Sequence, residues 1–284
     1  MSKTPKLGVL NVADVPLREV SGLALSNGRL FAVGDHDPAL FTAPLEPFPL
    51  RWTGIDLGGL GLPDGGTQFE AVQPLGDGTV LILQEQPARV LHVDPAAKAL
   101  VGTVILEVPE DHRLYQAWLG DRSSRGESLI LTGRGHLLVI KEKEPPAILE
   151  FGPCGDAAVG WQRGGRLEPP APADATFTVL ATWWLDEGLT RRLPDISDAT
   201  VGPDGCLYLL SDQGSAIARL PDVLDPRGGD VGAGAVWRIA GQPDNAEGLV
   251  ILADGTVLIG LDTKGPRRNL LRLQPIPLRS DATS

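Results

Sequence analysis

Ten polar positions recur in pairs along this 284-residue chain. Ser21, Glu70, Glu127, Ser197 and Glu247 each open a short phrase, and Asp35, Glu85, Glu142, Asp212 and Asp262 close it. The two ends are 15 residues apart in four phrases and 14 in the first. Eight of the ten positions are carboxylates, the others being Ser21 and Ser197. Carboxylates gathered in one place resist ionising together, because each charge raises its neighbour's pKa, whereas a bound cation reverses the effect. Three arrangements answer that repulsion. One is an oxygen-ligated cation, foremost Ca²⁺, which takes about 6–8 oxygens; its candidate ligands are Glu70, Glu127, Glu247, Glu85, Glu142, Asp212 and Asp262. Another is a set of basic partners, and Arg18, Arg125, Lys141, Lys143 and Lys264 flank the same positions. The third is hydrogen bonding to backbone N–H groups, which would make the acids ties between structural units. The sequence leaves all three open. A bound ligand would meet Ser21, Ser197, Asp35, His36, Arg125, Lys141, Lys143 and Lys264. Glu19, Asp195 and Asp198 adjoin the set.

Other chemistry is sparse. His36, between Asp35 and Asp37, can act as base or ligand, or simply be solvated. His92, His112 and His136 form no ligand cluster by spacing, and two cysteines, Cys154 and Cys206, make no disulfide framework. No G-x-S-x-G, H-E-x-x-H, C-x-x-C or Walker-type phosphate loop occurs.

The elements that must position these residues are hairpins. The phrases are VSGLALSNGRLFAVGD, FEAVQPLGDGTVLILQE, GESLILTGRGHLLVIKE, ISDATVGPDGCLYLLSD and AEGLVILADGTVLIGLD. Each sets two apolar runs about a turn: Ser26-Asn27-Gly28, Gly76-Asp77-Gly78, Gly133-Arg134-Gly135, Pro203-Asp204-Gly205 and Ala253-Asp254-Gly255. Such residues accept the positive φ of tight hairpins. Two further strand-like runs follow each of the first four hairpins, whereas NLLRLQP alone follows the fifth. Four short strands per repeat, at a period near 50 residues, predict an all-β, five-bladed β-propeller spanning 1–284 as one domain. Its blades open near 21, 70, 127, 197 and 247. The orphan strand KLGVLNVAD is expected to complete the last blade and cover two sheet edges. Residues 152–175, rich in Gly, Pro and Ala, read as a surface loop insertion. In such a disc the first strand of each blade lines the axis and the second returns beside it. Opening and closing residues therefore share one face, as two concentric polar rings. Tryptophans 52, 118, 161, 183, 184 and 237 read as packing between blades, with Trp118 and Trp161 as alternative pocket-rim residues.

The phrases resemble the SdiA-regulated, YjiK-like family of bacterial β-propellers. The resemblance is carried by Ser21-Gly22-Leu23 with Leu30-Phe31-Ala32-Val33, and by Gly126-Glu127 with Lys141-Glu142-Lys143 and Pro145. Asp195-Ile196-Ser197 and Ala246-Glu247-Gly248-Leu249 complete it. The Glu-Gly openings are more distantly similar to NHL-repeat and gluconolactonase-like propellers. That similarity implies that acids at the start of inner strands hold a divalent cation over the central channel.

A formal net charge of −11 argues against nucleic acid, which demands a basic face. No apolar run approaches a membrane span, and the start MSKTPKLGVLNVADV lacks a signal-peptide pattern, so the chain reads as soluble and cytoplasmic. The expected function is binding of a small molecule or protein segment at an acidic channel mouth, with calcium as the candidate structural cation and no nucleotide or organic cofactor. A metal-dependent hydrolase of a lactone, ester or phosphoester is one alternative, in which the cation polarises the scissile group. A protein-interaction scaffold is another.

Overall fold

A computed structural model describes residues 4–47, 49–62, 67–121 and 123–280. The chain is all-β. It begins with β1 (Lys6–Leu7) and β2 (Val9–Ala13), followed by an antiparallel meander of β3 (Gly22–Ser26), β4 (Arg29–Val33), β5 (Ala39–Pro44) and β6 (Thr53–Asp56). The same meander returns as β7 (Phe69–Pro74), β8 (Val80–Gln84), β9 (Arg89–Asp94) and β10 (Ala99–Glu107). A short helix, α1 (Tyr115–Gly120), leads to β11 (Ser128–Leu131), β12 (Leu137–Lys141) and β13 (Ala147–Pro153). After β14 (Trp161–Gln162) comes β15 (Ala175–Leu185), which pairs with β13, and then α2 (Glu187–Thr190). The next unit holds β16 (Asp198–Val201), β17 (Leu207–Ser211) and β18 (Ala216–Arg219). Between β18 and its partner β21 (Ala235–Ile239) lie the short β19 (Val223–Leu224) and β20 (Gly229–Val231). The last is β22 (Ala246–Ile251), β23 (Val257–Leu261) and β24 (Leu270–Leu273).

The hairpins form where turn chemistry demands them. Asn27 and Gly28 both take positive φ, 49° and 70°, the backbone of a two-residue turn whose twist matches the strands. The second strands β8, β12, β17 and β23 are buried along their whole length. Each sheet is covered on both faces by its neighbours, which explains wholly apolar runs in place of alternation. The hydrophobic cores lie between successive sheets. Val33 and Leu40 pack with Val72 and Ile82, Leu83 and Val90 with Leu129 and Val139, and Ile140 and Ile148 with Leu207 and Leu209. Tyr208 and Ile217 then pack with Leu249 and Ile259, and finally Val250 and Leu258 with Leu23 and Leu30 of the first sheet. The inner strands follow the same cycle: β3 neighbours β7, β7 neighbours β11, β11 neighbours β16, β16 neighbours β22, and β22 neighbours β3. At that crowded axis two of the residues that follow an opening position, Gly22 and Gly248, have no room for a side chain. A Cβ on Gly22 would sit 2.6 Å from the Glu70 carbonyl oxygen, and one on Gly248 2.7 Å from Leu23 Cγ.

The orphan N-terminal strand finds two partners. β2 pairs antiparallel with β24, and β1 runs parallel to β21 in the preceding sheet. Buried Asn269 locks the seam. Its amide oxygen accepts from Val15 N–H at 2.7 Å, and its nitrogen donates to the Val15 and Leu17 carbonyls at 3.0 and 2.9 Å.

Three features lie outside the expected plan. The outer strands β10 and β15 pair in parallel, joining the second and third sheets edge to edge. The insertion after β13 is partly ordered, because β14 pairs with β19. A buried His136–Glu150 pair, joined by exposed Asp156, pins it: His136 Nδ1 lies 2.7 Å from Glu150 Oε1, His136 Nε2 lies 3.3 Å from Asp156 Oδ2, and Glu150 accepts from Val159 and Gly160 N–H. Trp118 and Trp161 are buried in the cores, not placed at a pocket rim. Among the described residues no helix is long and apolar enough to cross a membrane.

Candidate functional site

At one face of the ring a cavity of about 260 Å³ is lined by Glu19, Ser21, Asp35, Glu70, Glu85, Ser123, Glu127, Glu142, Lys143, Glu247 and Asp262. Eight carboxylates thus meet one ammonium. The opening glutamates stand at the entrance of inner strands, and the closing acids follow the paired second strands, so the hairpin register brings both to the same face.

The innermost acids carry the greatest strain. Glu127 is 8% exposed. Burial, then the charges of Glu70, Glu85, Glu142 and Glu247, push its carboxyl well above the ordinary range. Burial likewise raises Glu70, with Glu85, Asp35 and Glu247 adding to the effect and a Ser21 hydrogen bond opposing it. Burial and then Glu142, Asp212 and Asp262 push Glu247 up to about 8. Among the described residues, neither Glu127 nor Glu247 has a hydrogen-bond donor or a basic side chain within ion-pair distance.

The outer acids are partly satisfied. Glu85 accepts from Arg125 N–H at 3.1 Å, yet burial pushes it up to about 7. Glu142 pairs with Lys143 at 2.6 Å. Asp262 accepts from Lys264 N–H at 3.1 Å and bridges through its backbone to Glu19. Asp35 N–H donates to Ser21 Oγ at 3.1 Å, and Asp35 Oδ2 lies 2.9 Å from His36 Nδ1.

Other expected site residues serve the scaffold. Asp212 is not among the cavity-lining residues; it accepts from Ala246 N–H of the adjacent sheet at 2.9 Å. Ser197 donates to the Ala246 carbonyl at 2.6 Å and is buried. Lys141 is wholly buried, with Nζ donating to the Lys143 carbonyl; burial lowers its pKa. The Arg125 guanidinium donates to the Trp118 and Leu119 carbonyls. Asp195 accepts from Ser211 Oγ and Gln213 N–H. Asp198 points away from this face into the central channel, where it accepts from the Leu249 and Ala199 N–H groups at 2.6 and 2.7 Å. Ser123 lines the mouth without any signal in the repeat, since it lies in the connection before β11.

Cyclic packing of meanders about an axial channel, with polar residues gathered at one mouth, defines a propeller-type fold. Solved structures support that class. The chain is similar to the PQQ-bound aldose sugar dehydrogenase from Streptomyces coelicolor, with 14% identity, a TM-score of 0.55, and 94% of this chain and 97% of that one covered. It is similar also to Myxococcus xanthus glutaminyl cyclase, with 14% identity, a TM-score of 0.52, and 97% and 100% covered. Virginiamycin B lyase from Staphylococcus aureus aligns over 95% of this chain and 99% of its own, with 10% identity and a TM-score of 0.45. No family model matches the chain, and no curated protein sequence matches it.

Proposed function

We propose that this chain is a five-bladed propeller of the SdiA-regulated kind, whose acidic mouth binds a divalent cation, Ca²⁺, and through it a small ligand or protein segment. The carrying observation is Glu127: a carboxylate buried among four others, without a hydrogen-bond donor or close ion-pair partner among the described residues, Lys141 and Lys143 acting on it only at longer range. A hard cation with oxygen ligands matches such a donor set. Glu70, Glu127 and Glu247 would hold it, with Glu85, Glu142 and Asp262 around them and water completing the shell. Asp212, tied to the next sheet, supports the ring without facing the cavity. When bound, the cation supplies positive charge that attracts oxygen atoms of a ligand. Lys143 and Lys264 stand beside the mouth to meet a ligand's anionic part. Kinship with the SdiA-regulated family is carried by the sequence phrases.

Calcium titration of the purified chain, read by thermal melting, tests this. A ligand of the native state stabilises by about 2.7 kcal/mol at a hundred times its Kd, so Ca²⁺ should raise Tm and EDTA should reverse the rise. Glu127→Gln and Glu247→Gln should each shrink the effect. Identical melting in Ca²⁺ and EDTA would overturn the reading. A metal-dependent hydrolase is the second reading. It is favoured by Glu85, whose pKa near 7 suits a proton-transfer group; chelator-sensitive turnover of a lactone or ester would select it.

A further inference from the structure

The first sheet places a nitrogen donor at the cavity rim, which the axial glutamates lack. Glu19 precedes β3, and Asp35 and His36 follow β4. The Ser21 hydrogen bond to Asp35 N–H fixes that corner. His36 Nδ1 lies 2.9 Å from Asp35 Oδ2 and 3.4 Å from Glu19 Oε2. One ligating atom from each of the three residues falls within 4.8 Å of the others, and among the described residues no further cluster of this kind occurs.

The separations of His36 Nδ1 from Asp35 and Glu19 suit a shared ion. Bonds of about 2.1 Å set neighbouring donors about 3.0 Å apart at right angles and about 3.4 Å apart in a tetrahedron. The second carboxylate oxygen of Asp35, Oδ1, is buried without a hydrogen-bond partner. The Asp262 backbone bridges to Glu19 at the same corner. The remaining histidines are committed differently. His136 has carboxylates at opposite ring nitrogens, a bridge no single ion can replace, and His92 and His112 contact threonine hydroxyls.

We infer that Glu19, Asp35 and His36 form a binding site for a first-row transition cation of the Zn²⁺ class, separate from the axial calcium set. Imidazole selects borderline metals over Ca²⁺. The His36 side chain is 58% exposed, against 30% for Asp35 and 17% for Glu19. The ion would therefore face solvent and keep coordination positions open for water or an incoming ligand.

Co²⁺ is the probe, because its visible d–d spectrum reports its ligands. Titration of the full chain should give a saturable band that excess Zn²⁺ abolishes and excess Ca²⁺ leaves in place. His36→Ala, at an exposed position, should keep the far-UV melt and weaken Co²⁺ binding at least about tenfold. Because the Co²⁺ band is read with Ca²⁺ in excess, this site can stand where calcium binding fails. A His36→Ala protein with wild-type affinity and spectrum would overturn the assignment. So would wild-type protein with no saturable Co²⁺ band.

Discussion

Glu85→Gln isolates the electrostatic strain of the acidic mouth. Glu85 Oε1 accepts from Arg125 N–H, and glutamine keeps that acceptor while removing the charge. The folded carboxyl titrates at about 7 against an ordinary value of 4.5. Between those values the native state holds the proton more tightly than the unfolded chain, so stability falls as pH rises through the window. At about 1.4 kcal/mol per pH unit, the full cost above pH 7 is about 3 kcal/mol. The glutamine variant escapes that cost and relieves Glu70 and Glu127, both of which Glu85 repels. For a chain of this size, about 2 °C per kcal/mol gives a Tm gain of about 6 °C. The assay is thermal melting of both proteins in EDTA at pH 5 and pH 8. At pH 5 the native carboxyl is already neutral and the two Tm values should nearly coincide; at pH 8 the variant should lead. A variant less stable than the parent at pH 8, or equally shifted at both pH values, would refute the claim that Glu85 bears a buried charge.

Two further outcomes follow from the scaffold. Asn269→Ala should cost about 2–4 kcal/mol, seen as a fall in Tm, because it leaves the buried Val15 N–H and the Val15 and Leu17 carbonyls without partners. Glu150→Ala should leave the ring folded but speed limited proteolysis between Cys154 and Gly160, since Glu150 holds the Val159 and Gly160 N–H groups and His136; an unchanged cleavage pattern would count against the pin.

The hairpins and the gathering of acids at one face were legible in the chain because both are local properties. Asn27-Gly28 dictates its turn through backbone sterics, and a constant hairpin length carries Glu70 and Glu85 to the same end. The N-terminal strand was legible by subtraction, as the one run without a partner. What escaped depends on contacts between distant segments. Nothing local marks Asn269 as the lock for Val15 and Leu17, and nothing in β10 announces its parallel neighbour β15. The division of labour among the acids escaped for the same reason. Asp212 closes its hairpin as Glu142 and Asp262 close theirs, but it meets the Ala246 N–H of the next sheet and does not line the cavity, and Asp198, one residue beyond an opening position, points down the channel instead. Spacing specifies the face; packing decides which acid stays unanswered on it.

The seam between β2 and β24 has a consequence for how the molecule is made. Gly8 N–H donates to the side chain of Gln274, 266 residues away. A ribosome makes β2 long before its partner β24, so β2 waits while the chain between them is translated, tens of seconds at about 5–20 residues per second. Until then β2 is an unpaired strand, and once made β24 presents an open edge until β2 docks, the condition under which a strand from another molecule can take the place. Ring closure therefore waits for β24 to be made, and the separation of β2 from β24 along the chain sets the interval during which the nascent protein is open to mispairing.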